Sequence, residues 1–160
     1  MKNSLKYIPV AVALLLTLFS CDENDHRTVA ANGPEPGTDT SVINNNTMKI
    51  TIGTETFTAT LLDNPTANAF KVTLPLTITM TELNGNEKYV NLANGLPTNP
   101  SNPGTIHAGD LMMYGATTFV LFYETFSTSY SYTKIGQVDN TDGLSAALGN
   151  GNVTVTFELQ

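Results

Sequence analysis

Cysteine, arginine and tryptophan are the scarcest residue types in this chain of 160 residues. Cys21 is the sole cysteine, so no intramolecular disulfide can form and stability must come from a packed core. Arg27 is the sole arginine, and tryptophan is absent. Because 14 acidic residues outnumber 7 basic ones, the surface repels phosphate backbones, and we expect no nucleic-acid partner.

Residues that carry metal or nucleophile chemistry are also few. After the first 46 residues the chain has one histidine, His107, and no cysteine, so we expect no zinc or copper site. The run DNTDG, residues 139–143, lacks the ligand spacing of a calcium loop and favours a turn before a helix. No Gly-x-Ser-x-Gly elbow and no glycine-rich phosphate loop before a helix is present. We therefore expect no metal, no cofactor and no catalytic residue.

No apolar run is long enough to cross a bilayer. The longest, residues 7–19, follows Lys2 and Lys6 and is typical of a secretory signal peptide. LFSC, residues 18–21, resembles the lipobox of bacterial lipoproteins, in which the signal is removed before the cysteine and the cysteine is acylated. Several acyl chains hold a protein on a membrane stably, so the resemblance implies a signal peptide over residues 1–20 and lipid attachment at Cys21. The alternative is an unprocessed, buried cysteine.

Residues 21–46 are polar and nearly free of large apolar side chains. Such a segment cannot bury enough surface to fold and predicts a flexible tether, with a reach of roughly 30 Å. Asp22, Glu23 and Asp25 resemble the acidic export signal of Bacteroidota surface lipoproteins, although a solvated acidic tail explains them equally well. These features predict a lipid-anchored protein of the bacterial cell envelope, at the outer membrane or cell surface rather than the inner membrane.

From residue 47 onwards, apolar side chains alternate with threonines. This period of two is typical of half-buried strands, and Asn84-Gly85 is a strong hairpin signal. The pattern predicts eight strands, at residues 47–52, 56–61, 76–81, 88–92, 110–114, 118–124, 130–138 and 153–158. The fifth strand follows a proline-rich loop, residues 94–109, whose length suggests a functional or mobile segment.

Two short helices interrupt the strands. Asn64 and Pro65 suit the cap and first position of a helix with Phe70 on its buried stripe, and Pro75 ends the run. A second helix, residues 144–148, follows the DNTDG turn and closes at Gly149. One domain, residues 47–160, is therefore predicted to be all-β, a small closed eight-stranded barrel with two short helices. A sandwich is the alternative.

Several segments carry a family resemblance. They are NPTANAF, LPLTITM, NGNEKY, AGDLMMYG (108–115), FVLFYETFSTSYSYTKIGQV (119–138) and DGLSAALGNGNVTVTFEL (142–159). In this order they resemble the bacterial cyclophilin-like family of small barrels, over residues 48–159. The resemblance implies an eight-stranded barrel with two helices, which agrees with the alternation, and it implies no settled activity.

True cyclophilins are prolyl isomerases that use an arginine, and this chain departs from them. Arg27 lies in the predicted tether, and the domain has no Phe-His-Arg motif. Lysine lacks the planar, bidentate donor geometry of a guanidinium group. Since a shared fold does not imply a shared reaction, enzyme activity is uncertain, and a divergent peptidyl-prolyl isomerase is kept as an alternative.

The aromatic run of residues 119–132 allows two interpretations. In the first, the phenylalanines fill the barrel and the tyrosines lie at its rim with satisfied hydroxyls. In the second, a ligand groove is lined by Tyr114, Phe126, Tyr130 and Tyr132, with His107 on its lip. We predict a non-catalytic module that binds a peptide or small molecule. A structural or accessory subunit of an envelope complex is a further alternative.

Overall fold

The computed structural model describes residues 45–160. The predicted signal peptide, Cys21 and the tether up to residue 44 lie outside the described residues. The strands are β1 (Thr47–Ile52), β2 (Glu55–Leu61), β3 (Leu76–Leu83), β4 (Glu87–Asn91), β5 (Thr105–Ile106), β6 (Asp110–Tyr114), β7 (Thr118–Phe122), β8 (Phe126–Ser127), β9 (Thr133–Val138) and β10 (Val153–Leu159). The helices are α1 (Pro65–Lys71) and α2 (Leu144–Leu148). Within residues 45–160, no helix is long and apolar enough to cross a membrane.

Eight of these strands close into an antiparallel barrel. Its order is β1-β10-β3-β4-β7-β6-β9-β2, and β5 and β8 form a separate two-stranded sheet. The prediction of an all-β, closed eight-stranded barrel with two short helices is confirmed. Closure leaves no unpaired strand at the edge of the main sheet.

The boundaries differ from the predictions in two places. The strand predicted over residues 130–138 begins only at Thr133, because the backbone N–H of Tyr130 donates to Thr128 Oγ1 (3.1 Å) in a local turn. Tyr132 forms an isolated bridge with Ser101. The loop of residues 94–109 contains β5, which pairs with β8, and neither short strand was predicted.

Both helices contribute apolar side chains to the core. Asn64 caps α1 by accepting from the backbone N–H of Ala67 (2.8 Å), as predicted. Phe70 of α1 stacks against Phe119 (4.7 Å between ring centroids), and Phe119 against Phe157 (5.3 Å). Leu144 and Leu148 of α2 belong to the same buried cluster, so each helix packs its apolar side chains into the barrel core.

Strand β7 is buried on both of its faces, as its unbroken apolar sequence predicted. Phe119 and Leu121 point into the barrel core. Val120 and Phe122 belong to a second buried cluster, which Ile106, Met112 and Tyr132 complete. The β5–β8 sheet thus covers part of the outer barrel wall, and some aromatic residues that were expected inside the barrel lie outside it.

A buried lysine lies inside the barrel and pairs with a partly exposed carboxylate. The side chain of Lys88 is 0% exposed and forms an ion pair with Glu82. Its Nζ also donates to the carbonyl oxygens of Gly149 and Gly151, both at 2.7 Å, and lies 5.4 Å from the ring centroid of Tyr123. The ammonium group is therefore fully partnered, which is what burying a charge requires.

The pKa values of Glu82 and Tyr123, the two acidic groups beside Lys88, are both shifted. The Tyr123 hydroxyl donates to both carboxylate oxygens of Glu82 at 2.8 Å. Burial, followed by this bond to Glu82, raises the pKa of Tyr123 to about 12. Burial alone would raise the pKa of Glu82, but hydrogen bonds from Lys88, Tyr123 and the backbone of Gly85 outweigh it and hold that pKa below its ordinary value.

Candidate functional site

An open cavity of about 480 Å³ lies on the outer face of the barrel, over β4, β7 and β6. Its size falls within the range of small-molecule sites, roughly 300–1,000 Å³. The β3–β4 turn forms one side, and residues 126–130 with Tyr132 form the other. We call this cavity the tyrosine groove, because Tyr89, Tyr114, Tyr130 and Tyr132 all line it.

The floor of the tyrosine groove follows from strand register. Val120 of β7 pairs with Tyr89 of β4, and Thr118 of β7 pairs with Tyr114 of β6. Directly paired residues point to the same face of a sheet. These four side chains therefore form a continuous floor on the outer face, opposite Phe119 and Leu121 in the core.

The far wall of the groove is held by the proline-rich loop. Thr128 N–H donates to the carbonyl of Gly104 (2.9 Å), and the side-chain amide of Asn102 donates to the carbonyl of Ser129 (3.0 Å). Ser101 and Tyr132 exchange two backbone hydrogen bonds, of 2.9 and 3.0 Å. The loop predicted to be functional or mobile thus fixes the segment that carries Tyr130 and Tyr132.

Three tyrosine rings meet in the groove. The ring of Tyr114 lies 6.1 Å from that of Tyr130, at an interplanar angle of 87°, and 5.6 Å from that of Tyr132. Tyr114 is 49% exposed and Tyr130 is 61% exposed, whereas Tyr132 is buried. Two large aromatic side chains therefore present much of their surface to solvent within a concave site, where a ligand would cover them.

The charge of the groove is negative. Glu87 is its one carboxylate among the described lining residues, and none of those residues is lysine, arginine or histidine. Burial, and then the negative charge of Glu82, raise the pKa of Glu87. Burial, and then the charge of Glu87, also raise the pKa of Tyr132. The negative charge of Glu87 is therefore felt at the aromatic wall of the groove.

The structure brings together four of the five predicted ligand-binding residues. Tyr114, Phe126, Tyr130 and Tyr132 all line the tyrosine groove. His107 does not line it: its side chain is 62% exposed, with Nδ1 3.9 Å from Asp110 Oδ2. Binding by any of the five stays a prediction, and the geometry favours the four aromatic residues.

The Asp110 carboxylate next to His107 is used structurally. Lys134 Nζ lies 2.7 Å from Asp110 Oδ1, and the backbone N–H of His107 donates to Asp110 Oδ2 (2.9 Å). Among residues 45–160, no group of three or more His, Cys, Asp or Glu side chains could hold a metal ion. A second cavity, of about 260 Å³, lies beside the start of α1 and has no aromatic lining residue among the described ones.

The sequence did not predict the groove residues on the β4 side, among them Asn86, Glu87 and Tyr89. Asn86, Glu87 and Tyr89 were assigned only to a hairpin and its strand. The available signal was the alternation along β4, where Glu87 and Tyr89 share one face and Lys88 and Val90 share the other. The local pattern could not show which face lies inside the barrel, because a lysine on the inner face is exceptional.

The closed antiparallel barrel, its two short helices and its external groove define a small barrel domain with an open ligand-sized site over β4, β7 and β6. The model of the cyclophilin-like family matches residues 50–158, so the chain belongs to the cyclophilin-like family. Comparisons with curated proteins and with solved structures gave no significant match. The family predicted from the segments between residues 48 and 159 is confirmed.

Proposed function

We propose that this chain is a lipid-anchored protein of the bacterial cell envelope whose cyclophilin-like domain binds a peptide or small molecule in the tyrosine groove. The observation that carries the proposal is the exposure of Tyr114 and Tyr130 inside a concave site. Hydrogen bonds fix the wall that carries Tyr130, so the site is largely formed before a ligand arrives. Such a preformed site lowers the entropic cost of binding.

Binding without catalysis is supported by the chemistry of the lining. Ser127 and Ser129 line the groove, but within residues 45–160 neither hydroxyl is hydrogen-bonded to a histidine or to the Glu87 carboxylate, and a hydroxyl needs an adjacent base to act as a nucleophile. Arg27 lies outside the domain, so a guanidinium group comparable to that of true cyclophilins is missing from residues 47–160. The groove can hold a ligand through aromatic contacts and hydrogen bonds.

The binding proposal is tested by two-dimensional NMR of the ¹⁵N-labelled protein against a library of short peptides and small fragments. We expect at least one compound to shift the amide signals of residues 126–132, and Tyr130→Ala to abolish the shifts. Val72→Ala, which truncates an exposed apolar residue of the α1 cap outside the groove, is the matched control and should leave the shifts unchanged. Shifts confined to other surfaces, or none at all, would overturn the proposal.

The isomerase alternative is tested with a protease-coupled assay on an Ala-Pro peptide. We expect no acceleration over the uncatalysed reaction. Turnover that Tyr130→Ala or Phe126→Ala removes would replace the binding proposal with the divergent prolyl isomerase.

The anchoring proposal rests on LFSC at residues 18–21 and on the apolar segment before it. With Cys21 acylated, the protein should fractionate with membranes and incorporate a labelled fatty acid. Cys21→Ser should abolish the labelling and release the protein from membranes, because the acidic chain has no basic surface to bind anionic lipid. Unlabelled but membrane-bound wild-type protein would contradict the anchor. Antibody access in intact cells then tests exposure at the cell surface.

A further inference from the structure

We infer that the tyrosine groove selects an organic ammonium group, carried either by a free amine or by a lysine side chain. The inference rests on the proposed function, because it assumes that the groove is the ligand site. It specifies the charge and chemistry of the ligand, on the basis of one carboxylate and three adjoining aromatic rings.

Glu87 supplies the negative charge. It pairs with Phe122 across the β4–β7 ladder, and its side chain therefore faces outwards into the groove. The residue is half-buried, and none of the ion pairs formed within residues 45–160 includes it. A partly desolvated carboxylate without a counter-charge favours a cationic partner.

The lysines of the domain are engaged elsewhere. Lys49 pairs with Glu158 (2.8 Å), Lys134 with Asp110 (2.7 Å) and Lys88 with Glu82. Lys71 donates to the side chains of two asparagines, Asn46 and Asn68. Within the described part of the chain, the charge of Glu87 is thus left for a ligand to neutralise.

The aromatic rings suit a cation rather than an anion. The face of an aromatic ring is electron-rich and attracts ammonium groups. Tyr114 and Tyr130 stand at 87° to each other, and Tyr132 adjoins Tyr114. Such a corner presents two ring faces to one position in the groove, and an anion there would meet both the rings and Glu87 unfavourably.

The experiment compares charged and neutral ligands of the same shape by calorimetric titration of the whole chain purified in detergent. Butan-1-amine, a cation at neutral pH, is paired with butan-1-ol, and N-acetyl-lysine methylamide is paired with N-acetyl-norleucine methylamide. We expect at least one cation to bind about tenfold or more tightly than its neutral partner. Binding of butan-1-amine alone would identify a free amine as the source, and binding of the lysine derivative alone would identify a peptide. Hexanoate, the anionic probe, should not bind.

Variants then assign the preference to the groove. Glu87→Gln should reduce cation affinity about tenfold and leave the affinity for the neutral partner unchanged. Glu55→Gln is the matched control, because it removes an equal charge from β2, which pairs with β1 and β9, away from the groove. Tyr130→Leu should weaken cation binding, and Tyr130→Phe should retain it, since the π face is preserved. Unfolding midpoints of all variants establish that each is folded.

The outcomes separate this inference from the proposed function. If neutral or anionic probes bind the groove as tightly as the cations, the inference is wrong and the groove remains a ligand site. A cation preference that persists in Glu87→Gln and Tyr130→Leu also overturns it. If no probe or library compound binds the groove, both statements fail.

Discussion

Lys88 is the residue whose position is most surprising for its type. Lysine is almost never fully buried unless it is paired, and Lys88 satisfies that condition through Glu82 and two backbone carbonyls. These contacts join the β3–β4 hairpin to the segment that follows α2. From the sequence EKYVN of β4, Lys88 is expected to be a surface residue, because burial of its charge depends on partners that are 61 and 63 positions away in sequence.

Replacing Lys88 with methionine should destabilise the domain by about 3 kcal/mol, because it removes the counter-charge of Glu82 and leaves the carbonyls of Gly149 and Gly151 without their donor. Urea unfolding monitored by circular dichroism measures the change. Lys49→Met is the matched control, since the Lys49–Glu158 pair is solvent-exposed and should cost about 1 kcal/mol or less. Equal losses of unfolding free energy in the two variants would show that the contacts of Lys88 stabilise the domain no more than an exposed ion pair does.

Tyr123 should make stability fall at alkaline pH. In the unfolded chain its hydroxyl ionises near pH 10, whereas in the folded protein its pKa is about 12. The folded state therefore holds a proton that the unfolded state releases, and its contribution, complete below pH 10, is lost as the pH rises to 12. Urea midpoints over this interval should decline less steeply in Tyr123→Phe than in the wild type.

The control for that measurement is Tyr130→Phe, which removes a hydroxyl that lies outside the barrel. Its pH dependence should follow the wild type. Indistinguishable slopes for wild type and Tyr123→Phe would contradict the assignment of the alkaline loss to Tyr123.

At the scale of elements, the alternation of apolar and polar residues predicted well those features that depend only on residues close in sequence. The eight barrel strands and the Asn64 cap of α1 appear where local pattern placed them, because side-chain period and capping chemistry are local properties. β5 and β8 consist of two residues each, and β6 and β7 lie between them in the sequence. A two-residue strand has no period, so only tertiary contact defines it.

Gly136 shows how closely β9 approaches β2 where the barrel closes. A Cβ atom at this position would lie 2.7 Å from the carbonyl oxygen of Thr60 and 3.0 Å from Leu61 Cδ2. Because the nearest atom belongs to the backbone, Gly136→Ala must separate the strands, and we expect a loss of about 1–3 kcal/mol. The midpoint of thermal or urea unfolding measures it.

Gly151→Ala is the matched control for Gly136→Ala, because nothing lies within 4 Å of a Cβ atom built there. Its stability should change by about 0.5 kcal/mol or less. A Gly136→Ala variant as stable as this control would show that β2 and β9 can move apart freely.

At the scale of the whole molecule, the order of strands in the barrel could not be read from local pattern. β10, the last strand, lies between β1 and β3, and β9 lies between β6 and β2. Such pairings are decided by how the whole set of apolar faces closes around one core. The family resemblance supplied the architecture, and the four clustered aromatic residues of the groove followed from motifs close together in sequence.

A chain reduced to residues 45–160 should unfold at the same urea concentration as the full chain without its lipid, because every strand and both helices of the described part lie within it. Removing Asn45 and Asn46 as well should cost about 1–2 kcal/mol. Asn46 accepts hydrogen bonds from the backbone of Leu61 (2.7 Å) and from Lys71. Equal midpoints for the two truncated chains would show that Asn46 is dispensable.

The double burial of β7 bears on how the groove can change over evolutionary time. Phe119 and Leu121 serve the core, while Val120, on the opposite face, serves the groove floor. Substitutions at Val120 can therefore drift towards a new ligand preference while the inner residues keep the barrel intact. Successive positions of one strand thus stand under separate selective constraints, so that specificity can diversify among relatives without a change of scaffold.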